Sequence, residues 1–256
     1  MCTALLAGCS IKEDREECPR YVSVDMSGAD IETLLGSGCE QLHLGLVPMG
    51  ECKAESAASV SLPLEDLPGS YEFEAPREGL RLWGLCSAGG DYCGSGGFVI
   101  SAGMQCPPVY AWRMELPPGG DDEVPLSLHK EFCRLDIYFK EGFMSGCEYR
   151  ITGNSCGVDE DGSPLEGGFE CALSPDESGL CRVRVPRQAD GSLRLRITGG
   201  EEEVRVFAIG EYILRSGYDW RAADLGDVAV TVSFTSTSAT FIIDLWQKTR
   251  YIDVAF

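Results

Sequence analysis

The sequence predicts an all-β protein of two tandem sandwiches with little helix, and three observations carry that prediction. Apolar and polar residues alternate along most of its 256 residues, the period of half-buried strands. Turn-forming clusters interrupt the alternation about every 8–15 residues, a rhythm of antiparallel sandwiches rather than of parallel strand–helix–strand units. The run Pro117-Pro118-Gly119-Gly120-Asp121-Asp122 is the sharpest break in the chain. Paired prolines and glycines followed by paired acids cannot continue a sheet, so a domain seam is expected there. The expected units are a leader and tether over residues 1–18, an N-terminal sandwich over 19–116 and a C-terminal sandwich over 124–256.

In the N-terminal unit the alternation is clearest in Tyr21-Val22-Ser23-Val24, Gln41-Leu42-His43-Leu44-Gly45-Leu46, Leu80-Arg81-Leu82-Trp83 and Val109-Tyr110-Ala111-Trp112-Arg113-Met114. The C-terminal unit opens with Cys133-Arg134-Leu135-Asp136-Ile137-Tyr138-Phe139 and continues through residues 181–185, 192–197, 203–207 and 228–234 to Ala239-Thr240-Phe241-Ile242-Ile243-Asp244-Leu245. Helix is expected only as a turn or two over residues 30–35 and 219–225, with Asp30 and Asp219 as N-caps. The two halves share a strand–turn rhythm but no residue-level repeat.

Composition narrows the function. Forty-one acidic against 21 basic residues give a net charge of −20, which repels phosphate backbones and excludes nucleic acid as a general partner. No run of some eighteen apolar residues exists to span a membrane as a helix. Thirteen cysteines are many for a reducing compartment.

The first nine residues are small and apolar, and Ser10-Ile11-Lys12-Glu13-Asp14-Arg15-Glu16-Glu17 follows as a dense charge run. That break resembles the end of a secretory signal peptide. Leu6-Ala7-Gly8-Cys9 resembles a bacterial lipobox, in which small residues admit the peptidase and the cysteine sulfur takes the lipid as the new N-terminus. Eight residues are short for a whole signal, so the natural start is expected upstream. Lys12-Glu13-Asp14 resembles the charged signal that sends Bacteroidetes lipoproteins to the cell surface. Acyl chains on Cys9 would anchor the protein to an outer membrane without spanning it.

No catalytic, metal or cofactor motif stands up. Gly153-Asn154-Ser155-Cys156-Gly157 fits G-x-S-x-G, but a turn follows it and both His43 and His129 lie upstream, which argues against a catalytic Ser155. No C-x-x-C and no histidine pair offers a zinc site. Asp159-Glu160-Asp161-Gly162 lacks the distal glutamate of a calcium loop, and Gly94-Ser95-Gly96-Gly97 lacks the last glycine of a dinucleotide fingerprint. The protein is therefore expected to be no enzyme. Trp83, Trp112, Trp220 and Trp246 sit in or beside apolar strands and read as core. With Cys2 lost in the leader and Cys9 lipidated, eleven cysteines remain, so at least one is unpaired within the chain. Cys171 and Cys181 flank a short loop between two strands and are expected within bonding reach.

Several motifs together resemble the FimB/Mfa2 family of Bacteroidetes fimbrial anchor lipoproteins. They are the lipobox with Glu17-Cys18-Pro19, the turn Leu67-Pro68-Gly69-Ser70-Tyr71 followed by Leu82-Trp83-Gly84, the stretch from Val185 to Leu193, and Gly217-Tyr218-Asp219-Trp220. The resemblance implies transthyretin-like β-sandwich modules and a place at the base of a surface fimbria. It implies a stalk fimbrillin as partner, bound by strand complementation, in which one subunit's strand completes another's sheet. The alternative expectation is a surface lipoprotein of the same architecture that binds a glycan or other nutrient. Exposed coplanar aromatics would favour the glycan, buried tryptophans and an open sheet the strand.

Overall fold

The structure is a computed structural model that describes residues 18–49, 57–92, 95–144, 146–199, 202–234, 238–245 and 248–255, without the side chains of 202–204 and 234. Cys9, the lipobox, Lys12-Glu13-Asp14 and Trp246 lie outside the described residues.

The first half runs β1 (Arg20–Asp25), helix α1 (Ile31–Gly36), β2 (Gln41–Pro48), β3 (Ala58–Pro63), a 3-10 turn at Leu64–Asp66 and β4 (Ser70–Ala75). It continues through β5 (Leu80–Ser87), β6 (Asp91–Tyr92), β7 (Phe98–Val99), β8 (Val109–Leu116), β9 (Asp122–Pro125) and β10 (His129–Lys130). A three-stranded sheet, β4-β1-β9, packs on a five-stranded one, β10-β8-β5-β2-β3. Val22, Val24, Phe73 and Val124 of the first share one core with Leu42, Leu44, Leu82 and Trp112 of the second. Asp30 caps α1 as expected, its carboxylate accepting from the Thr33 amide at 3.1 Å.

The second half is β11 (Phe132–Phe139), β12 (Cys147–Val158), β13 (Pro164–Ala172), β14 (Leu180–Pro186), β15 (Arg194–Gly199) and β16 (Glu202–Phe207). Helix α2 (Ile209–Arg215) follows, then β17 (Val228–Phe234), β18 (Ser238–Leu245) and β19 (Lys248–Ala255). One sheet is β14-β11-β17-β18-β19; the other is β16-β15-β12, with β13 and β7 both pairing β12 and β6 pairing β7. The fold class is all-β, as the alternation predicts.

The seam differs from expectation. Residues 117–121 do leave the sheet, but the chain then returns to the N-terminal sandwich. β9 runs parallel to β1 with Val22 opposite Asp122, and β10 pairs β8. Val124 and Leu126 are buried in the N-terminal core, so burying them draws residues 122–126 back. The crossing between modules falls at Glu131, later than the break in composition suggests.

The halves are also joined face to face. In β5 alternate residues point to opposite faces. Leu80, Leu82 and Cys86 fill the N-terminal core, whereas Trp83 and Leu85 belong to the C-terminal core. Likewise Val109 and Ala111 of β8 face the second core, and Trp112 and Leu116 the first. The outer face of the five-stranded sheet is thus covered by the β6–β7 hairpin, which pairs with β12. Glycine makes that cover fit. A Cβ on Gly157 would fall 2.0 Å from the Phe98 carbonyl oxygen, and Gly96, at φ +89°, would meet the Trp83 Cβ at 2.8 Å. Gly96, before Phe98, serves packing.

Helix placement corrects the sequence reading once. Residues 219–225 form turns, because three of their carbonyls point at a buried guanidinium described below instead of along a helix. The second helix is α2. Its Ile209 and Ile213 enter the core, and Gly210 lies so close to Gly191 that a Cβ would sit 2.7 Å from the carbonyl oxygen.

Candidate functional site: sheet edges and the module junction

A strand can be added only where a sheet presents unpaired backbone groups, so the edges are the places to search. In the N-terminal module β4 pairs only β1 and keeps one side unpaired, while the other three edges are short or end in proline. β3 ends at Pro63 and β9 at Pro125, and proline offers no amide to a neighbour. The two-residue β10 is covered: the Leu225 amide donates to the Lys130 carbonyl at 3.2 Å, and Asp224 accepts from the Lys130 amide at 2.9 Å.

In the C-terminal module β14 is plugged at two points. The Cys106 amide donates to the Arg184 carbonyl and Gln105 accepts from the Arg184 amide, while Asp176 exchanges bonds with Leu180 through its amide and carboxylate. The opposite side of this sandwich is different. β19 pairs with β18 along all eight residues, and among the described residues no other backbone group bonds it. Ile252 and Val254 of β19 lie half-buried on the core, while Tyr251 is 71% exposed.

The facing sheet ends on β16 at the same side. Phe207 of β16 meets Phe241 of β18 at 5.0 Å between ring centroids, and Tyr212 of α2 packs on the same Phe241, so β16 and α2 cover β18 beside the β19 edge. Val206 of β16 is 44% exposed. An extended peptide laid along β19 would find backbone partners and an alternating apolar wall there. Lys248 and Arg250 add positive charge to a chain that is otherwise strongly acidic.

The second feature is the junction between modules, a cavity of about 730 Å³ whose lining includes Trp112, Arg113, His129, Glu131, Arg187 and Trp220. Arg187 is its anchor. Its buried guanidinium bonds Glu131 Oε2 at 2.6 Å, the Trp220 carbonyl, the Ala222 carbonyl at 2.8 Å and the Ala223 carbonyl at 3.1 Å. Arg113, whose pKa burial lowers, clamps the Gly96, Asp159 and Glu160 carbonyls across the module boundary. Sequence reasoning did not single out Glu131, and no local signal pairs it with a residue 56 positions away.

The residues singled out in the sequence divide clearly. Ser155 lies inside β12, buried, its hydroxyl donating to the Gly157 carbonyl at 3.2 Å. His43 and His129 bond Ser61 and Asp224 instead, so no serine triad assembles around Ser155. Trp83, Trp112 and Trp220 are buried. Cys171 and Cys181 sit on facing sheets, opposite Ile151 of β12 and Ile137 of β11, with both side chains in the same core. Burial pushes the Cys181 thiol up to about 11 and the Cys133 thiol up to about 12, so both pack as neutral groups at pH 7. Among the described residues no cluster of three or more histidine, cysteine or acidic side chains is arranged to hold a metal.

No protein-family model matches the sequence, and no curated protein matches it either. Solved structures do match. The fimbrial anchor protein Mfa2 of Porphyromonas gingivalis superposes with a TM-score of 0.56 over 90% of this chain and 98% of that one, at 11% identity. The chain has the fold of Mfa2. A candidate polysaccharide-binding protein from Bacteroides thetaiotaomicron reaches 0.61 at 10% identity, covering 92% of this chain and 98% of that one. A candidate adhesin from Bacteroides ovatus reaches 0.58 at 11% identity over 95% and 97%. At such identities the Mfa2 fold is what is shared; the side chains at β16, β19 and the junction are this protein's own.

Proposed function

We propose that the protein is a non-catalytic, surface-exposed fimbrial subunit, lipid-anchored to the outer membrane through Cys9, and the base anchor that accepts a donor strand from a stalk fimbrillin. The likeness to a fimbrial anchor over nearly the whole of both chains carries the reading. The β19 edge supports it by supplying unpaired backbone groups beside the half-buried Ile252 and Val254, whereas the β14 edge is plugged. The net charge of −20 suits a solvated surface protein.

The glycan-binding alternative draws on the likeness to a candidate polysaccharide-binding protein. Three buried tryptophans weigh against it, since sugar stacking needs exposed ring faces.

The test is a pull-down from surface-labelled cells comparing wild type with Cys9→Ala. The expected result is loss of the variant from the membrane and recovery of a fimbrillin with the wild type alone at the surface. A membrane-bound Cys9→Ala together with no co-purified fimbrillin would overturn the reading.

A further inference from the structure

The N-terminal module holds a pair of thiols that neither the β19 edge nor the junction uses. After α1 the chain turns through Ser37 and Gly38, and the Cys39 amide donates back to the Leu34 carbonyl at 3.1 Å. That bond seats Cys39 under the helix, three positions before Leu42. Leu42 of β2 lies directly opposite Cys86 of β5, and Cys86 opposite Tyr110 of β8. Both cysteines point into the same core, at 1% and 0% exposure. Over them Ser37 Oγ and the Tyr110 hydroxyl meet at 2.9 Å.

Each thiol perturbs the other's ionisation, and Tyr110, opposite Cys86 and bonded to Ser37, links the segments that carry the two. The neighbouring Cys86 thiol holds Cys39 below the ordinary thiol range, while Cys39 and burial push Cys86 up. The other described cysteines behave differently: Cys171 donates to the Ala172 carbonyl, Cys156 to the Leu165 carbonyl, and Cys133 interacts with Tyr218.

We infer that Cys39 and Cys86 are joined by a disulfide in the exported protein, fastening the α1–β2 junction to the central strand of the five-stranded sheet. Two cysteine side chains that enter one core beside the same strand pair can reach the bonded sulfur–sulfur distance of roughly 2.05 Å by side-chain rotation. The oxidant is a disulfide-donating protein or small-molecule disulfide of an oxidising compartment. The Cys39 thiolate attacks one sulfur of that disulfide and releases the other as a thiolate. Cys86 then loses its proton and attacks the Cys39 sulfur, displacing the second thiolate. The pair gives up two electrons and two protons, and the donor's disulfide becomes two thiols. Because both sulfurs are buried in the finished fold, the exchange belongs to the folding chain, before β5 is covered. The bond closes a long loop holding β2, β3 and β4, the case in which a cross-link removes most freedom from the unfolded chain.

The inference rests on the export in that reading but not on its fimbrial part, because its test reads bond chemistry and no partner. The exported full-length protein is denatured without reductant, alkylated, digested and analysed by mass spectrometry. The expected product is a linked pair of peptides containing Cys39 and Cys86, two hydrogens lighter than their sum and separated by dithiothreitol. Recovery of both residues alkylated, or either joined to a different cysteine, would overturn it. A second measurement needs no digestion: reductant should lower the melting temperature of the wild type by several degrees. The double variant Cys39→Ala/Cys86→Ala should lose that fraction of the reductant effect. An unchanged reductant effect in the double variant counts against the bond.

Discussion

In the N-terminal sandwich three of the four outermost strands are short or end in proline, β4 being the exception, whereas the C-terminal sandwich carries the longer unpaired edges of β13 and β19, nine and eight residues. The faces show the reverse pattern. The five-stranded sheet of the N-terminal module is buried on both sides, since Trp83, Leu85, Val109 and Ala111 enter the second core. In the C-terminal module the strands alternate between core and solvent, as β11 does with Arg134 and Tyr138 outward. One module therefore spends a sheet face on holding the pair together, and the other keeps the longer free edges. Stability and partner binding should respond to mutation in different places.

The largest effect is expected at the shared face. Trp83→Ala removes a wholly buried indole from between the modules and should cost about 3–5 kcal/mol. Because that indole belongs to the second core while its strand belongs to the first, urea unfolding should show one transition that moves as a whole. Two transitions, with only the N-terminal one shifted, would mean the modules are energetically separate.

Next comes the junction. Arg187→Met strands the Glu131 carboxylate and three carbonyls in a buried setting, at a cost of about 3 kcal/mol. Replacing both partners, Glu131→Leu with Arg187→Met, should recover much of the charge component, because no unpaired ion is left behind. A double variant no more stable than Arg187→Met would assign the cost to the carbonyl contacts alone. Denaturant midpoints decide it.

A third pair of substitutions separates the two kinds of edge. Ile252→Lys on β19 and Val60→Lys on β3 each put a charge on a half-buried edge position, and each should cost about 1 kcal/mol. Only Ile252→Lys should abolish fimbrillin recovery in the pull-down. Equal loss from Val60→Lys would move the docking edge to the N-terminal module.

These contrasts explain what the sequence could disclose. β11 was legible from its alternation because one of its faces meets solvent. β5 extends beyond the alternating Leu80–Trp83, since a strand covered on both faces loses the period-2 signal from Gly84 onward. β12 was hidden for a related reason: neighbours on both edges let it carry glycine, asparagine and serine, which break its alternation within the G-x-S-x-G match. The break at Pro117 is real as a turn, yet local composition does not report that Val124 and Leu126 refill the first core. The run from Val185 to Leu193 stood out in the sequence, and its physical centre is Arg187. What Arg187 grips, Glu131 and the carbonyls after Trp220, lies far along the chain and became visible only once the sheets had paired.

The smallest expected effect concerns acid. Asp30 of the N-terminal module and Asp176 and Asp190 of the C-terminal one are held below the ordinary carboxylate range, chiefly by hydrogen bonds from Thr33, Ser178 and Ser192. A folded-state pKa below the unfolded one contributes stability that is present above the unfolded value, near pH 3.9. That contribution is lost as pH falls through the folded value. The acid arm of the stability curve should therefore slope downward from roughly pH 5 toward pH 2. Asp30→Asn isolates the N-terminal share. Asparagine caps a helix about as well as aspartate but carries no proton to gain, so amide exchange in α1 should be nearly unchanged at pH 6. In acid the wild-type α1 amides should lose protection while those of the variant stay level. Turns built on Asp176 and Asp190 should weaken equally in both proteins, which provides the internal control. Parallel loss of protection in wild-type and variant α1 would show that the acid response arises elsewhere in the N-terminal module.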